Sequence, residues 1–225
     1  MAWDQWIRTV EVEPSLYAAN FARLGEQVEQ LLRTGARVFH YDIGDGHFVE
    51  PVTVGPIVLH SIETIVHREG GVFDCHLMVD DPAHYFGALK AAGADSVTFH
   101  LEAVDDPHAV AASAREYDFQ VGLAIKPETP IEDALAAADG FDLVLCMSIY
   151  PGYSGQEFMP EALDRLRRLR AELPAGVHLQ VDGGITNENI RSVYDAGPDL
   201  IVCGSAIFRM EDLPRAYRRL VQQLA

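Results

Sequence analysis

The chain has 225 residues, of which 48% are hydrophobic and 23% are charged, so it can bury the core of one α/β barrel domain. Its 17 basic and 34 acidic side chains give a formal charge of −17, which repels nucleic acids and anionic membrane surfaces. An anionic ligand must therefore be held locally, by a metal ion, backbone N–H groups or helix N-termini.

The amino-terminal residues and the cysteines bear on the cellular compartment. Residues 1–10 lack the basic flank and apolar run of a secretory signal, and no apolar stretch approaches the length of a membrane span. Cys75, Cys146 and Cys203 lie in three separate apolar runs, where a buried free thiol is the ordinary expectation. We therefore expect a protein of the reducing cytoplasm, with neither nucleic acid nor membrane as a partner.

Short β-rich runs alternate with helical patterns along the chain, which is typical of βαβ units on a parallel sheet. The eight predicted strands are Val10–Pro14, Arg37–Asp42, Val72–Leu77, Ser96–His100, Gln120–Ile125, Leu143–Ser148, His178–Asp182 and Leu200–Cys203. Eight such units predict an α/β fold, a single (β/α)8 TIM barrel with a parallel eight-stranded core, as one domain over residues 1–225. Residues 1–9 form an N-terminal extension, and we expect Trp3 and Trp6 to cover the lower rim of the barrel or a subunit contact.

Capping residues and helical spacing place the helices between these strands. In the first helix, Asn20 is the predicted N-cap, Phe21 begins the apolar face and Gly35 ends the helix. The longest helix is expected to follow Pro160, where leucines repeat at helical spacing.

Strand two ends in a histidine and an aspartate on one face. The alternation of side chains along a strand sends His40 and Asp42 to the same side, and Gly44, Asp45 and Gly46 then break the strand. Such strand ends carry the chemistry of α/β folds, although an N–H···O pair that only holds a loop explains this stretch equally well.

Two further strand ends favour a metal site. His76 ends strand three beside His40 and Asp42, and Asp182 occupies the matching position on strand seven. Two imidazoles and two carboxylates suit Zn²⁺, Fe²⁺ or Mn²⁺, whereas Ca²⁺ prefers oxygen ligands alone. Each side chain taken alone is more often structural, but four at equivalent strand ends would be costly to bury without a cation.

The later strand ends supply glycines. They lie in residues 151–156 after strand six, at Gly183 and Gly184 after strand seven, and at Gly204 before Ser205 after strand eight. The N–H groups of these neighbouring loops, aided by the helix after strand eight, predict a phosphate site, although each glycine pair taken singly is an ordinary turn.

With these residues in view, the chain resembles the ribulose-phosphate 3-epimerase family over nearly its whole length. The first half of the chain carries the matching motifs Pro14-Ser15-Leu16, Asn20-Phe21-Ala22, His40-Tyr41-Asp42, Asp45-Gly46-His47-Phe48-Val49 and His76-Leu77-Met78. The second half carries Met147-Ser148, Pro151-Gly152, Gln156, Phe158-Met159-Pro160, Val181-Asp182-Gly183-Gly184 and Gly204-Ser205-Ala206-Ile207-Phe208.

The resemblance implies a metal-dependent epimerase that inverts C3 of a ketose phosphate, interconverting ribulose 5-phosphate and xylulose 5-phosphate through a metal-stabilised enediolate. It implies one divalent metal per subunit, Zn²⁺ ahead of Fe²⁺, Mn²⁺ or Co²⁺, in a homo-oligomer. Asp42 and Asp182 would be the acid/base groups, and the metal ligands would be His40, Asp42, His76 and Asp182. The residues that contact the sugar phosphate would be Ser15, His76, Met78, Met147, Gly152, Tyr153, Ser154, Gly155, Gly183, Gly184, Gly204 and Ser205, with the two methionines as apolar walls.

Three departures from the family pattern bear on the substrate. Gly44 stands where the family usually has a methionine, Glu50-Pro51 replaces a usual Pro-Asn, and Ser154 interrupts a usual Gly-Phe-Gly-Gly loop. A wider pocket at Gly44 leaves open a sister epimerase that acts on allulose 6-phosphate. The three changes together leave open a sugar-phosphate-binding paralogue without turnover, against which the intact pair of aspartates argues.

A decarboxylase on a similar phosphate-binding barrel is a further alternative. Such enzymes carry an Asp-x-Lys-x-x-Asp pattern, whereas here Asp74 is followed by Cys75 and His76. The sequence therefore disfavours this reaction.

Overall fold

The computed structural model describes residues 3–7 and 9–224, and within them eight parallel strands close into a barrel. The strands are β1 (Glu11–Pro14), β2 (Val38–Gly44), β3 (Val72–Met78), β4 (Ser96–His100), β5 (Gln120–Ile125), β6 (Leu143–Met147), β7 (His178–Asp182) and β8 (Leu200–Cys203). They pair in the order β1-β8-β7-β6-β5-β4-β3-β2, and a parallel bridge between Ser15 and His40 joins the two edges of the sheet. The predicted (β/α)8 TIM barrel is confirmed.

Helices alternate with the strands and cover the outside of the barrel. They are α1 (Trp3–Trp6), α2 (Leu24–Thr34), α3 (Pro56–Arg68), α4 (Phe86–Ala92), α5 (Pro107–Arg115), α6 (Ile131–Ala137), α7 (Ala162–Glu172), α8 (Ile190–Tyr194), α9 (Ser205–Phe208) and α10 (Leu213–Gln222). In α2, Leu24, Val28 and Leu31 lie on one face because of their helical spacing, and all three are buried. Each such side chain contributes about 1.5–3 kcal/mol of burial free energy. Gly35 ends this helix at a φ of 109°, a left-handed conformation that glycine adopts without steric cost.

Five strand boundaries differ from their predictions by one or two residues. β1 and β2 each begin one residue later than predicted, and β3 continues one residue further, to Met78. β2 continues through Gly44 rather than ending at Asp42, because Ile43 and Gly44 still pair with Leu77 and Met78 of β3. β6 ends at Met147, one residue before the predicted end.

Two helix predictions also need correction. Asn20 accepts a hydrogen bond from the Ala22 N–H, but it caps a single 3₁₀ turn that precedes α2, and Phe21 in that turn is 44% exposed rather than part of the buried face. Of the helices in the described ranges, α3 is the longest at 13 residues, whereas α7 after Pro160 has 11. Leucine spacing identified α7 correctly, but it did not fix the helix length.

The amino-terminal tryptophans close the bottom of the barrel. Trp3 and Trp6 are buried and pack with the first residues of four strands, namely Val38, Val72, Leu143 and Leu200. The prediction that they cover the lower rim is therefore confirmed. The opposite end of the barrel, where the strands finish, carries the polar side chains.

Among residues 3–7 and 9–224, no helix combines the length and apolarity needed to cross a bilayer.

Candidate active site

Strand register brings the two histidines and the first aspartate together. In the pairing of β2 with β3, Asp42 lies opposite His76, and His40 lies two residues earlier on the same face. The Asp42 Oδ1 atom is 3.1 Å from His76 Nδ1 and 3.3 Å from His40 Nε2. The hydroxyl of Ser15, at the end of β1, donates to the other oxygen, Asp42 Oδ2, at 2.7 Å.

Asp182 completes this group from the far side of the barrel. It ends β7, and its Oδ2 atom lies 4.0 Å from His40 Nε2. One ligand atom from each of His40, Asp42, His76 and Asp182 falls within 4.8 Å of the other three. The structure therefore brings the four predicted metal ligands to one place.

A chain of hydrogen-bond partners fixes one proton of His76. His76 Nε2 is 2.9 Å from His100 Nε2, and His100 Nδ1 is 3.0 Å from the Glu102 carboxylate. Burial lowers the pKa of His100 to about 4, so this imidazole is neutral, donates from Nδ1 to Glu102 and accepts at Nε2. His76 must then donate from Nε2. Its Nδ1 atom, 3.1 Å from Asp42 Oδ1, faces that carboxylate either as a second N–H donor or as a lone pair with a cation between the two atoms.

His40 is the residue whose surroundings indicate a cation site. Its Nδ1 atom lies 3.0 Å from Asp74, whereas its buried Nε2 atom has no hydrogen-bond partner within the described part of the chain. Metal-binding histidines commonly show this arrangement, with one nitrogen held by a carboxylate and the other free for the ion. Two nitrogen and two oxygen donors fit Zn²⁺, Fe²⁺, Mn²⁺ or Co²⁺.

A layer of polar side chains lies one step deeper in the barrel. Gln180 donates to Glu13 at 2.6 Å and to Asp74 at 2.7 Å, and Asp74 also accepts from Ser96 at 2.8 Å. This layer was not among the sequence predictions, although its pattern was present. Glu13, Asp74 and Gln180 each stand two residues before a predicted site residue and so face the same side of their strands.

The charged groups at the barrel mouth and in the deeper polar layer shift one another's pKa values. Burial favours the neutral form of Asp42, but the adjacent His40 and His76 outweigh it and hold its pKa well below the usual range. Burial, together with the negative charge of Asp42, raises the pKa of Asp182. Burial would lower the pKa of His40, but the carboxylates around it, those of Asp42 and Asp74 foremost, raise it instead. The two aspartates at the mouth thus differ in proton affinity.

A cavity opens above the four candidate metal ligands and contains most of the predicted substrate contacts. Its lining includes Ser15, Met78, Met147, Gly152, Tyr153, Ser154, Gly155, Gly183, Gly184, Gly204 and Ser205. His76 lies beneath this surface and is fully buried. The lining also includes four residues that the sequence predictions of the site did not contain, namely Tyr17, Ile149, Ile185 and Val202. Tyr17 lies in a 3₁₀ turn after β1, where the alternation of a strand no longer applies, so no local pattern pointed to it.

The glycines after β6, β7 and β8, together with Ser205, form one wall of this cavity, which we call the glycine cradle (Gly152–Gly155, Gly183, Gly184, Gly204 and Ser205). Gly183 and Gly184 have φ values of 124° and 64°, and a Cβ atom on either would lie within 2.4 Å of Ile149 or Phe158. Both positions therefore require glycine, which leaves the backbone close to the cavity. The helix after β8, α9, is a single turn of four residues, so it adds little to this wall beyond its own N–H groups.

Comparison with known proteins gives the family. A family model described as the ribulose-phosphate 3 epimerase family matches residues 11–208. The chain is 38% identical to a ribulose-phosphate 3-epimerase of Schizosaccharomyces pombe, over 89% of this chain and 88% of the relative. It is 37% identical to one of Escherichia coli strain K12, over 95% and 96%. The chain belongs to the ribulose-phosphate 3-epimerase family.

Solved structures with lower sequence identity share the fold. The 3-hexulose-6-phosphate synthase of Salmonella typhimurium superposes with a TM-score of 0.72 over 96% of this chain and 98% of its own, at 16% identity. At that identity the likeness concerns the barrel alone. Within this shared architecture, the epimerase has His76 two residues after Asp74, at the position where the decarboxylase pattern described above has a lysine.

The first departure of this epimerase from its family pattern does not widen the pocket. A Cβ atom on Gly44 would lie 2.8 Å from a methyl group of Val49 and 2.9 Å from the carbonyl oxygen of Pro51. The loop after β2 therefore fills the space that a longer side chain would occupy, and Gly44 does not line the cavity. The expectation of a roomier pocket at this position is wrong.

The other two departures lie on loops that meet over the epimerase cavity. The hydroxyl of Tyr153 donates to the Glu50 carboxylate at 2.8 Å, which connects the loop after β6 to the loop after β2. Ser154 lies next to this contact in the cavity wall. Neither Glu50 nor Ser154 displaces one of the four candidate metal ligands, which include both aspartates.

Proposed function

We propose that this enzyme interconverts ribulose 5-phosphate and xylulose 5-phosphate by inverting C3, with Asp42 and Asp182 as the two proton carriers. The observation that carries this proposal is the pair of carboxylates from β2 and β7, Asp42 buried and Asp182 partly buried, which reach one cavity from opposite sides of the barrel. Inversion next to a ketone requires removal of a proton from one face and delivery of a proton to the other.

The different surroundings of the two carboxylates support separate roles. Asp42 accepts from Ser15 and has two imidazoles beside it, so it is held ionised, which is the form able to take a proton. Among the described residues, the Asp182 carboxylate accepts no hydrogen bond, and its raised pKa makes it the group that more readily holds a proton. Carboxyl pairs whose environments separate their pKa values often share acid and base roles in this way.

We further propose that His40, Asp42, His76 and Asp182 bind one divalent cation, with Zn²⁺ the first candidate and Fe²⁺, Mn²⁺ or Co²⁺ the others. Such an ion supplies positive charge that stabilises negative charge developing on the substrate oxygens. Around it, Asp74 orients His40, and His100 with Glu102 orients His76. Met78 and Met147 exclude water from the reacting carbons.

For the ligand itself we propose a sugar phosphate whose phosphate group lies against the glycine cradle. The filled space beside Gly44 supports a pentose over the longer allulose 6-phosphate, because the wider pocket that motivated the longer sugar is absent. Three buried free thiols, Cys75, Cys146 and Cys203, support a reducing cytoplasm as the compartment.

The test is direct. Purified protein loaded with Zn²⁺, Fe²⁺, Mn²⁺ or Co²⁺ in separate samples is incubated with ribulose 5-phosphate, and xylulose 5-phosphate is followed by NMR. Allulose 6-phosphate is run in parallel as the competing substrate. Conversion of the pentose at the higher efficiency supports the proposal. Folded, metal-replete protein that converts neither sugar would show that this chain is not a working epimerase of this type.

A further inference from the structure

An arginine lies directly against the glycine cradle. A Cβ atom placed on Gly155 would be 2.7 Å from Nη2 of Arg209 and 3.3 Å from its Cζ atom, so the guanidinium covers this glycine. Arg209 follows α9, which begins with the cradle residue Ser205. Gly155 has a φ of 89°, and its lack of a side chain is what allows the guanidinium to approach the loop.

The charges around the cavity are negative, and Arg209 is a cation beside it. Of the described residues that line the cavity, none is a lysine or an arginine, whereas Asp42 and Asp182 both are present. The chain as a whole carries a formal charge of −17. A phosphate group at the cradle would therefore meet backbone N–H groups in a negative field, and the guanidinium beside Gly155 is the cation placed to offset that field.

The side chain of Arg209 is available for this role. It is exposed, and it takes part in no ion pair with another described residue. It lines a groove beside the cavity in which four arginines, Arg209, Arg215, Arg218 and Arg219, outnumber two acids, Glu211 and Asp212. The Asp212 carboxylate accepts a hydrogen bond from the Arg215 N–H as the N-cap of α10, so it interacts with the start of that helix. The family match ends at Phe208, one residue before Arg209.

We propose that Arg209 supplies the positive charge of the phosphate site and thereby sets the affinity of this enzyme for phosphorylated sugars. This inference rests on the proposed sugar-phosphate function and adds to it a residue outside the cradle. The guanidinium acts from behind Gly155 on the phosphate group, far from C3 of the sugar, so it should affect binding and leave the proton transfers alone.

The experiment compares three variants with the parent: Arg209→Gln, which removes the charge, Arg209→Lys, which keeps it, and Arg218→Gln, which removes a charge from the same groove away from Gly155. Binding of inorganic phosphate is measured by calorimetry, and KM and kcat are measured with ribulose 5-phosphate at low and moderate salt. For Arg209→Gln we expect phosphate affinity to fall and KM to rise about tenfold, as for the loss of one partly exposed charge-assisted contact. kcat should stay within about twofold, and the salt dependence of KM should become shallower.

Arg209→Lys should recover most of the phosphate affinity, and Arg218→Gln should behave like the parent. Unchanged phosphate affinity and KM in Arg209→Gln would overturn the inference, as would an equal effect of Arg218→Gln. The phosphate titration needs no turnover, so it separates this inference from the proposed function. If the parent fails to convert ribulose 5-phosphate but binds phosphate in an Arg209-dependent manner, the function is wrong and the charge assignment stands.

Discussion

Replacement of Asp182 by asparagine should separate the two proposed proton transfers. The side chain is 17% exposed and accepts no hydrogen bond from the described residues, so the amide loses no internal partner and stability should change by less than about 1 kcal/mol. The amide oxygen can still face the metal position, but the proton carrier is gone. Inversion should therefore fall by about 10²–10⁴-fold, or roughly 2.7–5.4 kcal/mol of transition-state free energy.

Hydrogen exchange should respond differently from inversion. Asp42 keeps its hydrogen bond from Ser15 and its two adjacent imidazoles in this variant, so it can still deprotonate the face of the sugar that it meets. One of the two epimers should continue to incorporate deuterium at C3 from heavy water, while the other becomes inert. Asp42→Asn should reverse this preference, because it leaves the opposite carrier in place.

The assay is proton NMR of each pure epimer in heavy water. Metal content is measured for each variant, since both aspartates also belong to the proposed ligand set. Asp164→Asn, at an exposed position on α7, serves as the matched control and should behave like the parent. Metal-replete variants that lose exchange equally with both epimers, or that epimerise at the parent rate, would refute the assignment of two separate carriers.

The remaining predictions concern the metal, the loop after β2 and the pH dependence of stability. Prolonged chelation should abolish activity and added Zn²⁺, Fe²⁺, Mn²⁺ or Co²⁺ should restore it, as measured by turnover against metal content; full activity in demonstrably metal-free protein would contradict this. Glu102→Gln removes the charge that holds His100, so metal affinity should fall about 10–100-fold in a competition titration with a chelator, and unchanged affinity would exclude the orienting role. Gly44→Met should destabilise the fold by about 1–3 kcal/mol in urea unfolding, because its side chain would overlap the loop after β2; a stable variant with altered sugar preference would show that the loop can move aside. His67, whose pKa is raised to about 9 by a hydrogen bond from its ring to Asp95, stabilises the fold fully below its unfolded pKa of about 6.5, and this contribution disappears as the pH rises through 9. His67→Gln should therefore cost about 1–2 kcal/mol at pH 6 and much less at pH 9.5, and an equal cost at both pH values would refute the charge-based explanation.

Local patterns in the sequence were sufficient to predict the barrel and to bring the four candidate metal ligands together. The alternation of side chains along a strand fixes which residues share a face, so His40 and Asp42 were placed together without knowledge of the rest of the chain. Parallel strands that pair in register also end at a common edge, which brought His76 and Asp182 to the same mouth. The glycines after the last three strands were predicted to form one site for the same reason, because their loops leave the barrel at that edge.

The contacts that tune the site were decided by tertiary structure, because they join residues that no local period relates. Gln180 reaches Glu13 across 167 positions of the chain, and Tyr153 reaches Glu50 across 103. The sequence identified Gly44 as a missing side chain, but only the folded loop shows that Val49 and Pro51 occupy the space. The position of Arg209 against Gly155 likewise depends on how the loops after β6 and β8 pack. Periodicity reports the direction of a side chain from its own strand or helix, whereas the neighbour it meets there depends on barrel closure and loop packing.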